Sequence, residues 1–194
     1  YARSIEAEHN KNFRFTITTN GILLNDEIQQ YINENMHNVV ISLDGRKEIN
    51  DKMRPRAGGQ GSYDVIVPKF QKLAESRNQT NYYIRGTFTR NNLDFMQDVL
   101  HMADLGFKQI SVEPVVGQDT DPYAIQKEDL PRIFAEYEAL AAELYERHKK
   151  GGKDDFNFFH FNIDLSGGPC VAKRLTGCGS GTEYLSVTPE GELY

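Results

Sequence analysis

Along the chain, short runs in which apolar and polar side chains alternate with period two are separated by longer stretches with helical spacing. Phe13–Thr19 alternates and is rich in aromatic and β-branched residues, which predicts a strand ended by Asn20 and Gly21. Asn25 predicts the N-cap of a helix with Ile28, Tyr31 and Ile32 on one face. Val39–Leu43 is the second predicted strand, closed by Asp44 and Gly45, and a long polar loop is expected through Arg54, Pro55, Gly58 and Gly59. Ser62 starts a predicted helix that turns Val65, Ile66, Phe70 and Leu73 inward. Asn81–Thr89 is the third strand, and Asn92 caps a predicted helix with Phe95, Met96, Val99 and Leu100. Gln109–Val115 is the fourth strand. Leu130–His148 reads as a long helix with Ile133, Phe134, Tyr137, Leu140, Ala141 and Leu144 as its apolar positions. Phe156–Phe161 is an aromatic-rich strand or its approach. Strands alternating with helices at this spacing predict right-handed βαβ units and an α/β fold with a parallel sheet. After Lys149 the pattern changes, and a domain boundary is expected near Ser166, giving parts 1–166 and 167–194.

Alternation divides each strand into two faces. Phe13, Phe15 and Ile17 oppose Arg14, Thr16 and Thr18, with Asn20 next on the polar side. Ile41 and Leu43 oppose Ser42 and Asp44, Ile84 and Phe88 oppose Arg85 and Thr87, and Ile110 and Val112 oppose Ser111 and Glu113. The apolar face suits a layer of helices. Were the other face also covered by helices, the strands would read as continuous apolar runs. A polar interior open to ligand is the remaining choice, which describes a wide or partial (β/α) barrel binding near the carboxyl ends of its strands. On that face a buried Arg85 and a buried Glu113 would each need a partner. Two arrangements satisfy them: they pair with each other, or Arg85 holds the carboxylate and Glu113 the ammonium of an amino-acid ligand.

Composition narrows the function classes. The formal charge of -6 leaves no basic footprint for nucleic acid. No apolar run reaches the roughly 20 residues of a membrane span, and no signal peptide opens the chain, so a cytoplasmic location is expected. Tyr1–His9 reads as the last turns of a helix without a cap, and Thr188–Gly191 as a turn followed by a return strand at Glu192, so the chain is expected to be an internal piece of a longer protein. The two cysteines, Cys170 and Cys178, sit in a glycine-rich stretch and are more suited to ligation than to a structural disulfide. Two thiols are too few for a closed zinc site, and His160, the nearest histidine, is expected to be a strand residue. Strand ends offer no Schiff-base Lys or metal-binding His of the kind an aldolase or metal-dependent lyase wants.

Ile17-Thr-Thr-Asn-Gly21, then Val40-Ile-Ser-Leu-Asp-Gly45, Lys47-Glu-Ile-Asn-Asp51 and Arg54-Pro55, resemble the third and fourth strands of radical S-adenosylmethionine enzymes. The Cys178 segment resembles their SPASM auxiliary-cluster domain, and the order of these motifs is similar to that in maturases of SCIFF peptides. Those are short ribosomally synthesised peptides with six cysteines that receive thioether cross-links. The resemblance covers essentially the whole chain.

It implies a partial radical-enzyme barrel followed by the start of a SPASM domain, with S-adenosyl-L-methionine and [4Fe–4S] clusters as cofactors. A cysteine-rich precursor peptide and a reductant protein are the implied partners, without nucleic acid or membrane. By resemblance, Ser42 would reach the ribose or carboxylate of S-adenosylmethionine, Arg85 would meet the carboxylate, Val115 would lie against the adenine, and Asn20 and Glu113 would line the same wall. Cys170 and Cys178 would ligate an auxiliary iron–sulfur cluster. Asp44 is expected to shape the turn before Gly45, and Arg54 to anchor the loop or touch substrate. The family's three-cysteine motif and its Gly-Gly-Glu-Pro segment do not occur here, so this piece alone is expected not to cleave S-adenosylmethionine. Another SPASM radical enzyme with sulfatase-maturase-like oxidation, a non-radical (β/α)-barrel lyase and a noncatalytic peptide-binding module are the alternatives.

Overall fold

The computed structural model describes residues 1–152, 155–162, 185–188 and 190–193. They contain five strands, β1 (Thr16–Thr19), β2 (Asn38–Ser42), β3 (Tyr82–Phe88), β4 (Gln109–Pro114) and β5 (Asn157–Phe158). Six α-helices occur among the described residues: α1 (Glu6–His9), α2 (Asp26–Asn35), α3 (Lys47–Met53), α4 (Tyr63–Ser76), α5 (Phe95–Asp104) and α6 (Leu130–Lys149). All neighbouring strands are parallel, and their order in the sheet is their order in the chain. The α/β architecture expected from the alternation is therefore the observed one. The chain divides into two compact units, Tyr1–His160 and Phe161–Tyr194. The boundary expected near Ser166 lies outside the described residues.

The helix-covered face carries the core. Val39, Ile41, Leu43, Tyr82, Ile84, Phe88, Ile110 and Val112 are fully or almost fully buried there, against Ile66, Phe70 and Leu73 of α4 and Phe95, Val99 and Met102 of α5. Phe88 stacks on Phe95 with ring centroids 4.2 Å apart. α2 begins where expected, the Asn25 side chain accepting the Ile28 amide at 2.8 Å. Of its three predicted inward residues only Ile32 is deeply buried, while Ile28 and Tyr31 are exposed.

Several elements differ from expectation. Residues 47–53, read as loop, form α3; its inward side chain is the buried amide of Asn50, so hydrophobic periodicity gave no signal. Asn92 does not cap α5 directly but closes a 3₁₀ turn with Thr89, whose amide it accepts at 2.8 Å. β1 begins three residues later than Phe13, which stacks on Phe15 at 6.0 Å and is exposed. In the second unit, Val187 pairs antiparallel with Leu193 across a turn in which Gly191 has φ +90°, the hairpin expected from Thr188–Gly191.

Candidate functional site

The face opposite the helices is polar and accessible. Register aligns Ser42, Arg85 and Ser111 side by side on β2, β3 and β4, and sets Thr87 beside Glu113. Because successive residues alternate in direction, these side chains share one face while Ile41, Ile84 and Ile110 share the other. Arg85 Nη2 donates to Glu113 Oε2 at 2.8 Å. Glu113 in turn raises the pKa of the guanidinium, through the hydrogen bond first and its charge second. The pair is not buried as expected: its side chains are 57% and 38% exposed. With Val40, Tyr83, Ser111 and Phe159 it lines a cavity of about 190 Å³. Ser42 stands half-buried beside Arg85.

The two remaining expected wall residues sit apart from that cavity. Asn20 follows β1 and is exposed, its Oδ1 accepting the Ile22 amide at 3.2 Å. Val115 follows β4, half-buried, and its amide donates to Phe88 O at 2.9 Å. Both occupy carboxyl ends of strands, where ligands of parallel sheets bind. Cys170 and Cys178 lie outside the described residues. Among the described residues no cluster of three or more His, Cys, Asp or Glu could hold a metal.

Asp44 does more than shape a turn. Its carboxylate is almost fully buried and accepts a bidentate pair of bonds from Arg54, Nε at 2.7 Å and Nη2 at 2.9 Å, plus the Thr87 amide of β3 at 3.0 Å. The Asp44 amide donates to Asn50 Oδ1, Asn50 Nδ2 donates to Ser62 Oγ, and that hydroxyl donates to the Arg54 carbonyl at 2.6 Å. Arg54 is thus a loop anchor. Ser62 is consumed in the same network and makes no side-chain cap for α4. A second anchor lies beside it: the fully buried Asp98 accepts from the Arg46 amide and Nε, at 3.0 and 2.8 Å, and from Asn92 Nδ2 at 3.0 Å. Gly45 passes between the two carboxylates with φ +133°, and a Cβ there would overlap the Asp98 side chain.

His160 was expected to be a strand residue, but β5 ends at Phe158 and His160 sits in the 3₁₀ turn that follows, its Nε2 3.3 Å from Ser111 Oγ. Burial lowers the imidazole pKa and the Glu113 charge opposes that shift. Phe159 meets the Tyr83 ring edge-on at 5.6 Å. An isolated histidine in an aromatic run carries no sequence signal for a ligand wall. The pairing of β4 with β5, Gln109 with Asn157 and Ile110 with Phe158, brings it there.

No family model matches the chain. It is 29% identical over 143 residues to the cysteine-type anaerobic sulfatase-maturating enzyme of Clostridium novyi, covering 71% of this chain and 36% of that protein. An uncharacterized protein of Methanocaldococcus jannaschii is 34% identical over 105 residues, 54% of this chain and 36% of that protein. In structure the chain is similar to anSMEcpe with bound AdoMet, with a TM-score of 0.67, 18% identity, and coverage of 82% of this chain and 44% of that one. With AdoMet and a peptide bound, the same protein gives 0.68 at 17% identity, covering 90% and 47%. The fold is therefore the one these structures share. The chain spans about a third of the length of the curated relatives and under half of the solved chains. Among the described residues no helix is long and apolar enough to cross a membrane.

Proposed function

We propose that this chain is part of a cytoplasmic radical S-adenosylmethionine maturase that modifies a peptide or protein substrate, and that the polar sheet face receives the amino-acid end of S-adenosylmethionine. The observation that carries this reading is the accessible Arg85–Glu113 pair on that face, in a fold shared with a protein solved with AdoMet. The carboxylate of that end would take the Arg85 fork, with Glu113 beside it on the same face. An exposed ion pair contributes only about 0–1 kcal/mol, so opening it costs little. Ser42, in register with Arg85, offers a hydroxyl to the ribose or carboxylate, Val115 an apolar contact to the adenine, and Asn20 a place on the rim. With its cluster, S-adenosylmethionine supplies a radical that removes hydrogen from the substrate. The described residues contain no set of ligands for such a cluster, so the role of Cys170 and Cys178 in an auxiliary site rests on the sequence resemblance.

Two finer readings follow. Motif order favours thioether formation in a cysteine-rich precursor peptide, with a reductant protein as the second partner. Sequence likeness to a sulfatase-maturating enzyme favours oxidation of a substrate cysteine. The whole protein, reconstituted anaerobically with iron and sulfide and supplied with a reductant, is expected to release 5′-deoxyadenosine from S-adenosylmethionine. Absence of that product from a fully reconstituted sample counts against the family reading. Mass spectrometry of the substrate separates the finer two, since a thioether loses two hydrogens and keeps its sulfur, whereas oxidation to an aldehyde loses the sulfur.

A further inference from the structure

We propose that Asp44 is a positioning residue for the carboxylate of the ligand: without touching the ligand, it fixes the spacing between the Ser42 hydroxyl and the Arg85 fork. The proposal rests on the reading that S-adenosylmethionine presents its carboxylate to that wall. Ser42 is the last residue of β2 and lies in register with Arg85 on β3. One residue on, the Leu43 amide donates to the Arg85 carbonyl at 3.2 Å. Two positions along β3 from Arg85, the Thr87 amide donates to Asp44 Oδ1 at 3.0 Å. Arg85 is thus bracketed, its carbonyl held from Leu43 and the amide beyond it from Asp44. Gly86 lies inside the bracket. A Cβ there would come within 2.7 Å of the Leu43 carbonyl oxygen and 3.2 Å of Asp44 Cα, so β2 leaves the sheet closer to β3 than a side chain allows.

A closed ring of hydrogen bonds holds the Asp44 carboxylate in that place. The Asp44 amide donates to Asn50, Asn50 to Ser62 and Ser62 to the Arg54 carbonyl, and the Arg54 guanidinium returns to both oxygens of Asp44. The Arg54 amide adds a bond to the Asn50 carbonyl at 2.7 Å. A planar fork on a planar carboxylate fixes the orientation of the group that receives Thr87. Asp44 is almost fully buried, so its part in ligand binding is indirect, whereas the Arg85 side chain is 57% exposed and within reach of a ligand. A carboxylate that meets both Ser42 and Arg85 reads the spacing between them, and a misplacement of about 1 Å at such a site costs on the order of 100-fold. A bare Asp44 carboxylate two residues from Ser42 would also repel the ligand. Arg54→Lys separates the two effects, because it keeps the charge and loses the fork.

The test compares Arg54→Ala and Arg54→Lys with the wild-type whole protein, reconstituted anaerobically and held at a temperature where circular dichroism shows each folded. Arg54→Lys carries the test if Arg54→Ala does not fold. Calorimetry reads the affinity for S-adenosylmethionine and for its decarboxylated analogue. Both variants are expected to bind S-adenosylmethionine about tenfold or more weakly and the analogue as wild type does, whereas a general loosening of the fold weakens both ligands alike. In an Arg85→Ala background, Arg54→Ala is expected to add little. In the protein without its cofactors, hydrogen exchange at the Thr87 amide is expected to speed up in both variants while the Ile84 amide stays protected. Equal losses for the two ligands overturn the proposal, as do wild-type affinity in Arg54→Lys and an unmoved Thr87 amide. If Arg85→Ala binds S-adenosylmethionine as wild type does, the carboxylate reading of the wall falls. If Arg85→Ala weakens binding and neither Arg54 variant does, that reading stands and the positioning role alone falls.

Discussion

Arg54→Ala measures how firmly the loop after β2 is tied to the sheet. The substitution removes both guanidinium bonds from Asp44 and leaves that carboxylate, 3% exposed, with one donor, the Thr87 amide. Removing one partner of a fully buried pair costs about 3–5 kcal/mol, because the other charge is left desolvated. Arg54 itself is 32% exposed, so water enters its place and screens the carboxylate, which lowers the expected loss to about 2–3 kcal/mol. Asp44→Asn keeps an acceptor for Thr87 and frees Arg54 to solvent, so its expected cost is smaller, about 1–2 kcal/mol. The assay is urea unfolding followed by far-UV circular dichroism, since the chain contains no tryptophan. A fall in midpoint at unchanged slope reports the loss as stability. An Arg54→Ala protein within about 0.5 kcal/mol of wild type, or less destabilised than Asp44→Asn, refutes the reasoning, because solvent would then replace the guanidinium at no cost.

Gly45→Ala combines a φ of +133° with overlap against Asp98, and an expected loss of about 3 kcal/mol should appear in the same unfolding assay. Phe70→Ala empties a fully buried site under the sheet and should cost about 3–5 kcal/mol, with a cavity that binds a small apolar probe. Burial lowers the pKa of His160 below its ordinary 6.5, so the unfolded chain binds that proton more readily than the folded one. Stability should therefore fall as pH drops through about 6.5 and level off below the folded-state value, and His160→Asn should remove this component from urea midpoints compared at neutral and mildly acid pH. In the whole protein, Arg85→Ala should weaken S-adenosylmethionine binding by tenfold or more, about 1.4 kcal/mol, as read by calorimetry under anaerobic conditions.

Much of the fold was legible because its signals are local. Alternation in Val39–Leu43 and Gln109–Val115 separates the two faces of the sheet without reference to any other part of the chain. Turn and cap residues such as Asn20, Gly21 and Asn25 mark where β1 stops and α2 starts. What could not be read depends on contacts between distant residues. α3 is folded around the polar Asn50, whose partners Asp44 and Ser62 lie six and twelve positions away. His160 and Ser111 meet across 49 positions, so neither neighbourhood reveals the other. The exposure of Arg85 and Glu113 was misjudged for the same reason. Face polarity fixes which way a side chain points, but accessibility depends on what elsewhere in the chain lies over it.

Strands that follow one another through the sheet in chain order impose a particular dynamics. Each βα unit is held chiefly by the unit before and the unit after, so loosening one strand frees its neighbours first and distant strands last. The inner strands β2, β3 and β4 have partners on both sides, whereas β1 and β5 are paired on one side among the described residues. Amide protection should accordingly peak along β3 and decline outward. The Arg85–Glu113 pair straddles the inner ladder, β3 to β4, while His160 adjoins the two-residue strand at the margin. The wall therefore joins inner strands, where Arg85 and Glu113 pair, to the short marginal strand beside His160.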